Sequence, residues 1–187
     1  MVEAAISWLR VWWQPGLALL ALGLLVAMVI TGRVRENQQL VKASGEGVMT
    51  EPPVEIDGVE LQASAGHWRL RRGPGGWQAA SGGPTIPMSA AQHIDDSLKF
   101  MHVAPPVRVM GRAEWAPVGL REFGLDPPRY TATLYRGERR ILSAAFGGPN
   151  PQDVLQYMKL DGRDEVYLMS RFVGREWEQA LREVSNR

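Results

Sequence analysis

Hydrophobic and polar residues are distributed very unevenly along the chain. Val11 to Gly32, VWWQPGLALLALGLLVAMVITG, runs for twenty-two residues without a charge, closed by Arg10 on one side and Arg33 and Arg35 on the other. As a helix, Trp12 to Ile30 would span about 28 Å, close to the hydrocarbon thickness of a bilayer, so the run predicts one membrane crossing. Pro15 falls in the first turn of its most apolar part, where a missing N–H does least harm. Trp8, Trp12 and Trp13 gather at one end as interfacial anchors, with Arg33 and Arg35 at the other. A cleaved signal peptide would need small residues just after the apolar run, where Arg33, Val34 and Arg35 stand instead. Gly16, Gly23 and Ala27 share one side of the helical wheel, a small-residue stripe that would let a second membrane helix approach closely.

The pattern then changes period. Residues 33–53 are polar, end in Pro52-Pro53, and read as a stalk. Short alternating runs follow at Val54 to Gln62 and His67 to Arg72, with a third opening at Trp77 after the Gly73-Pro74-Gly75-Gly76 turn. Ser89-Ala-Ala-Gln92 has the form of a capping box, and Ile94, Leu98 and Met101 form a helical stripe that stops before Pro105-Pro106. Further along, Tyr130 to Tyr135 alternates, Gly137 turns and Ile141 to Phe146 runs back, with Gly147 to Pro151 read as a loop. Val154 to Leu160 and Glu165 to Met169 bracket an Asp161-Gly162 turn, and Trp177, Ala180, Leu181 and Val184 give a terminal amphipathic helix. The expected architecture is α+β: one N-terminal transmembrane helix within residues 1–32, a stalk over 33–53, and a domain over 54–187 of antiparallel strands with two amphipathic helices. Its halves, about 54–104 and 105–187, share the grammar of a few strands followed by one helix.

Composition and charge narrow the chemistry. The 187 residues carry a formal net charge of +1, and beyond residue 32 the balance is 20 basic against 19 acidic, which gives no electrostatic footprint for nucleic acid. With no Cys, disulfides, thiolate catalysis and Cys-based metal sites are excluded. His67, His93 and His102 have no ligand spacing, and Asp95 and Asp96 are adjacent on one helix, where Asp95 would pair with Lys99. Gly147-Gly148-Pro149 lacks the Lys and helix start of a phosphate loop. Arg69, Arg71 and Arg72 beside Trp68 and Trp77 read as a polar strand face over core tryptophans. The chain is therefore expected to be no enzyme and to need no cofactor or metal.

Phe123, Gly124, Leu125, Pro127 and Pro128, followed by a strand, Phe146-Gly147-Gly148-Pro149 and Val166-Tyr167-Leu168, form a recognisable series. It resembles an uncharacterised bacterial domain family found in auxiliary proteins of gliding-motility-associated ABC transporters, with Trp68-Arg69-Leu70 and Trp77 like that family's opening strands. The resemblance covers most of residues 54–184 and implies a periplasmic domain on an inner-membrane anchor, with no catalytic residues to carry over. It outweighs the two-charge excess of Arg33, Arg35 and Lys42 over Arg10, which by itself favours a cytoplasmic C-terminus. The resulting expectation is a non-catalytic accessory subunit of a transport or energy-converting inner-membrane complex. Its partners would be integral membrane subunits and the lipid bilayer. The alternative is a membrane-tethered periplasmic module that binds a glycan or peptide.

Overall fold

The computed structural model describes residues 19–27, 46–82 and 85–186. The chain divides after Lys42 into two units. In the first, residues 19–27 are helical, and Leu19, Leu20, Leu22, Leu24 and Leu25 are exposed. Among the described residues no helix is long and apolar enough to cross a membrane. The ends of the expected span, Trp12 and Ile30, lie outside the described residues.

The second unit is α+β, as the alternating runs predict. Its single sheet has eight antiparallel strands in the order β3-β2-β1-β5-β6-β7-β8-β4. β1 (Gly58–Ala63), β2 (Gly66–Gly73) and β3 (Gly76–Ala79) form one meander; β5 (Tyr130–Arg136), β6 (Arg139–Pro149), β7 (Leu155–Leu160) and β8 (Val166–Ser170) form another. The two join edge to edge through β1 and β5, with Leu61 opposite Ala132 and Val59 opposite Leu134. Each meander is followed by a helix, α1 (Met88–Val103) and α2 (Arg171–Ser185). After α1 the chain crosses to the far edge, where β4 (Arg108–Met110) pairs with β8.

Alternation decides which face is buried. Val59, Leu61, Leu70, Ala132, Leu134, Phe146, Met158 and Met169 point to one side and form a single core with Ile94, Leu98 and Met101 of α1 and Trp177, Ala180, Leu181 and Val184 of α2. The helices run antiparallel: Ser89 Oγ meets Glu183 at 2.5 Å at one end, and Phe100 and Phe172 meet edge to face, 4.9 Å apart, at the other. His93 lies between them, 2.6 Å from Glu176 and 3.7 Å from Glu183.

Local readings are corrected in five places. The first strand begins at Gly58, because Pro53–Glu55 form a 3-10 turn. Ser89 caps nothing; the helix starts after Pro87 and the hydroxyl is engaged by Glu183. Asp95 pairs across the fold with Arg72 at 2.6 Å and accepts from Trp77 Nε1 at 3.0 Å. Gly147, Gly148 and Pro149 belong to β6, which passes them through a register shift against β7. The domain also reaches back into the stretch read as stalk, since Met49 is fully buried and the amides of Gly47 and Met49 donate to the His102 and Met101 carbonyls at 2.7 and 3.0 Å.

Candidate functional site

The sheet face away from the helices is divided. Over β7, β8 and β4 it is apolar, and Met110, Val166 and Leu168 are buried there beneath the connection from Gly111 to Pro128, whose Leu125 is buried against them with Trp115, Leu120 and Phe123 packed alongside. This is where the motif residues fall. Phe123 packs on Tyr157 with ring centroids 4.8 Å apart, and Leu125 is buried. Gly124 has φ 64°, and a Cβ there would stand 2.8 Å from the Gly148 amide nitrogen. A Cβ on Gly147 would meet the Phe123 carbonyl and come within 3.0 Å of Leu125 Cγ. The two glycine stretches thus clasp each other, which only glycine allows at that separation. Pro127 and Pro128 are exposed at the start of β5, where Pro128 bridges back to Leu125.

Over β2, β1, β5 and the start of β6 the same face is polar and uncovered by the described residues. The alternate positions there are His67, Arg69 and Arg71 of β2, Glu60 of β1, Thr131, Thr133 and Tyr135 of β5, and Ser143 of β6. Glu60 is the hub: its carboxylate lies 2.7 Å from His67 Nε2 and accepts from Arg69 at 3.1 Å and Tyr135 Oη at 3.0 Å. Partial burial pushes this carboxyl up, but the hydrogen bonds from His67, Tyr135 and Arg69 outweigh it and hold the group below its ordinary range. Partial burial, and then the hydrogen bond to Glu60, raise the Tyr135 phenol. A carboxylate that three donors hold ionised is a fixed hydrogen-bond acceptor on this face near neutral pH.

At Gly58 this face has no side chain. Gly58 lies between Arg71 on β2 and Tyr135 on β5, and a Cβ there would approach Tyr135 Cβ to 3.0 Å. The register shift between Leu134 and Tyr135 falls beside it, and such bulges re-aim the side chains that follow. The result is a dent of about 170 Å³ with Gly58 and Val59 in its lining, alongside Arg69, Arg71 and Tyr135, and Gly137 and Glu138 on its rim. It adjoins an open groove of about 800 Å³ that follows β2 from His67 to Arg71, past Ala79 to Ser81. Trp68 lines that groove, whereas Trp77 is fully buried with Arg72 over its ring at 4.6 Å.

Of the membrane-segment residues, Gly16, Trp8, Trp12, Trp13, Arg33 and Arg35 lie outside the described residues; Gly23 and Ala27 are on the described helix, and among the described residues nothing stands within 4 Å of a Cβ built at Gly23. The histidines do not converge: His67 faces Glu60, His93 faces Glu176, and His102 Nδ1 bonds the Met49 carbonyl at 3.0 Å. Among the described residues no three His, Asp or Glu side chains form a group that could hold a metal ion.

Sequence reasoning missed a buried polar cluster at the start of α2. Gln156 is fully buried on the core face of β7, its Nε2 donating to the Gly147 carbonyl at 3.0 Å and its Oε1 accepting from Arg171 at 2.8 Å. Arg171 also donates to Glu178 at 2.8 Å and to Asp153 at 3.0 Å, and Tyr130 Oη donates to the Gly174 carbonyl at 2.9 Å. Burial, then the charge of Glu178, push the Tyr130 phenol well above its ordinary value. The available signal was Gln156 itself, a polar residue at an inward position of an alternating strand.

No family model matches the chain, and no curated protein or solved structure matches it.

Proposed function

We propose that this protein is a non-catalytic, single-pass accessory subunit of a larger inner-membrane complex, its apolar segment packing on partner helices and its α+β domain lying outside the cytoplasm. The observation that carries this reading is the joining of a twenty-two-residue uncharged run, flanked by Trp and Arg, to a domain that closes its own core. The small residues Gly16, Gly23 and Ala27 on one side of the run support a helical partner within the bilayer. Resemblance of the Phe123-Gly124-Leu125 series to a periplasmic domain family supports the orientation. The partners are integral membrane subunits of a transport or energy-converting assembly.

Extraction in mild detergent followed by native size determination tests the assembly: the expected result is a particle holding further subunits, and a chain that runs alone refutes it. Orientation is read separately. The chain has no Cys, so a single Ser64→Cys in the exposed β1–β2 turn should react with a membrane-impermeant maleimide in intact spheroplasts, and protection there refutes an extracytoplasmic domain.

A second reading, a membrane-tethered ligand-binding module, is favoured by one observation. Half of the outer sheet face is polar and indented where the other half is covered.

A further inference from the structure

We propose that the dent over Gly58 binds the carboxylate-bearing ring of an acidic sugar. This goes beyond the accessory role and stands whether or not the chain assembles with other subunits.

Arg69 and Arg71 are two apart on β2 and so project from the same face, about 7 Å from each other. Each guanidinium has one carboxylate partner, Glu60 at 3.1 Å and Glu138 at 3.2 Å, and their side chains are 64% and 58% exposed. A guanidinium carries five N–H donors, so both retain donors for a second anion. Across the missing side chain of Gly58 stands the Tyr135 ring, a flat wall against which a sugar ring can lie, while Glu138 on the rim can accept from hydroxyls. At about 170 Å³ the dent holds a single small group rather than a drug-sized ligand.

The topology argues against a peptide in the dent. A peptide strand gains its affinity from main-chain hydrogen bonds to a free sheet edge. β1 is already paired on both sides, with β2 and with β5, so its backbone has none to offer. The donors and acceptors over Gly58 are side chains arranged around a floor, which suits a compact polyhydroxylated anion.

The test is calorimetric titration of the full chain in detergent micelles with galacturonate, galactose, inorganic phosphate and triglutamate. Galacturonate should bind, galactose should bind at least about tenfold more weakly, and Arg71→Gln should weaken galacturonate about tenfold. In the unsubstituted chain the Gly58 amide resonance should shift on adding galacturonate, a readout that does not depend on how any variant folds. Phosphate binding as tight as galacturonate would reduce the dent to a simple anion site and overturn the proposal. Tighter binding of triglutamate, an unmoved Gly58 resonance, or an Arg71→Gln chain that binds galacturonate normally would each overturn it as well.

Discussion

Replacing Gly174 by Ala tests the packing of α2 on the sheet through the sign of its effect. Gly174 lies inside α2, where an Ala with room for its methyl would raise helix stability by up to about 1 kcal/mol. Here there is no room. A Cβ at this position would penetrate Gln156 Oε1 and stand 2.7 Å from its Cδ and 3.1 Å from Tyr130 Oη. Gln156 cannot withdraw without leaving the buried Gly147 carbonyl unpaired and giving up one of the three hydrogen bonds of Arg171. Overpacking costs about 1–3 kcal/mol and each buried polar group left unpaired another 1–3 kcal/mol, so after the helix gain the net loss is about 3 kcal/mol. For a domain of this size that corresponds to a melting temperature lower by about 10 °C. Thermal and urea unfolding of the full chain, followed by far-ultraviolet circular dichroism, gives both numbers. A Gly174→Ala chain as stable as the original, or more stable, would refute the packing of α2 against Gln156.

Three further predictions follow from other contacts. Gly147→Ala should lower stability by about 2 kcal/mol, because its methyl meets the Phe123 carbonyl and Leu125 and would lift the cover off the second apolar cluster; near-ultraviolet dichroism should change with it. Trp77→Phe should cost about 1 kcal/mol more in urea unfolding than Trp177→Phe, since Trp77 Nε1 donates to Asp95 whereas the buried Trp177 Nε1 has no partner among the described residues. Glu60 is held below its ordinary value of 4.5, so its stabilising effect is fully present above that value and is lost as pH falls through the lowered one; unfolding midpoints measured from pH 6 to pH 2 should fall less steeply for Glu60→Gln.

The strands and helices were legible because their residues obey local periods. Val59, Leu61, Leu134 and Met158 alternate with polar neighbours, and Trp177, Ala180, Leu181 and Val184 repeat at helical spacing, so the burial of each follows from its own segment. What local reading missed depends on partners distant in the chain. Ser89 has the composition of a cap but is met by Glu183, ninety-four residues away. Asp95 has Lys99 one turn on, yet Arg72 and Trp77 of the neighbouring hairpin reach it. Gly147 and Gly148 look like a loop, and they remain in a strand because their bare backbone lets the Phe123 to Leu125 segment settle on them. The dent over Gly58 was hidden for a related reason: one glycine in an alternating run says nothing until the register sets it between Arg71 and Tyr135. Met49 was hidden because it stands in a stretch without a strand or helix period, though it is fully buried.

The Met49 anchor has a mechanical consequence. Two backbone hydrogen bonds and the His102 ring hold the residue 47–49 segment against the C-terminal end of α1, with the Met49 side chain sunk in the core. Force applied at Gly47 is therefore met by these contacts. It loads α1, and through the α1–α2 pair it loads the sheet. The 47–49 segment can leave the domain only by breaking these bonds and drawing Met49 out of the core.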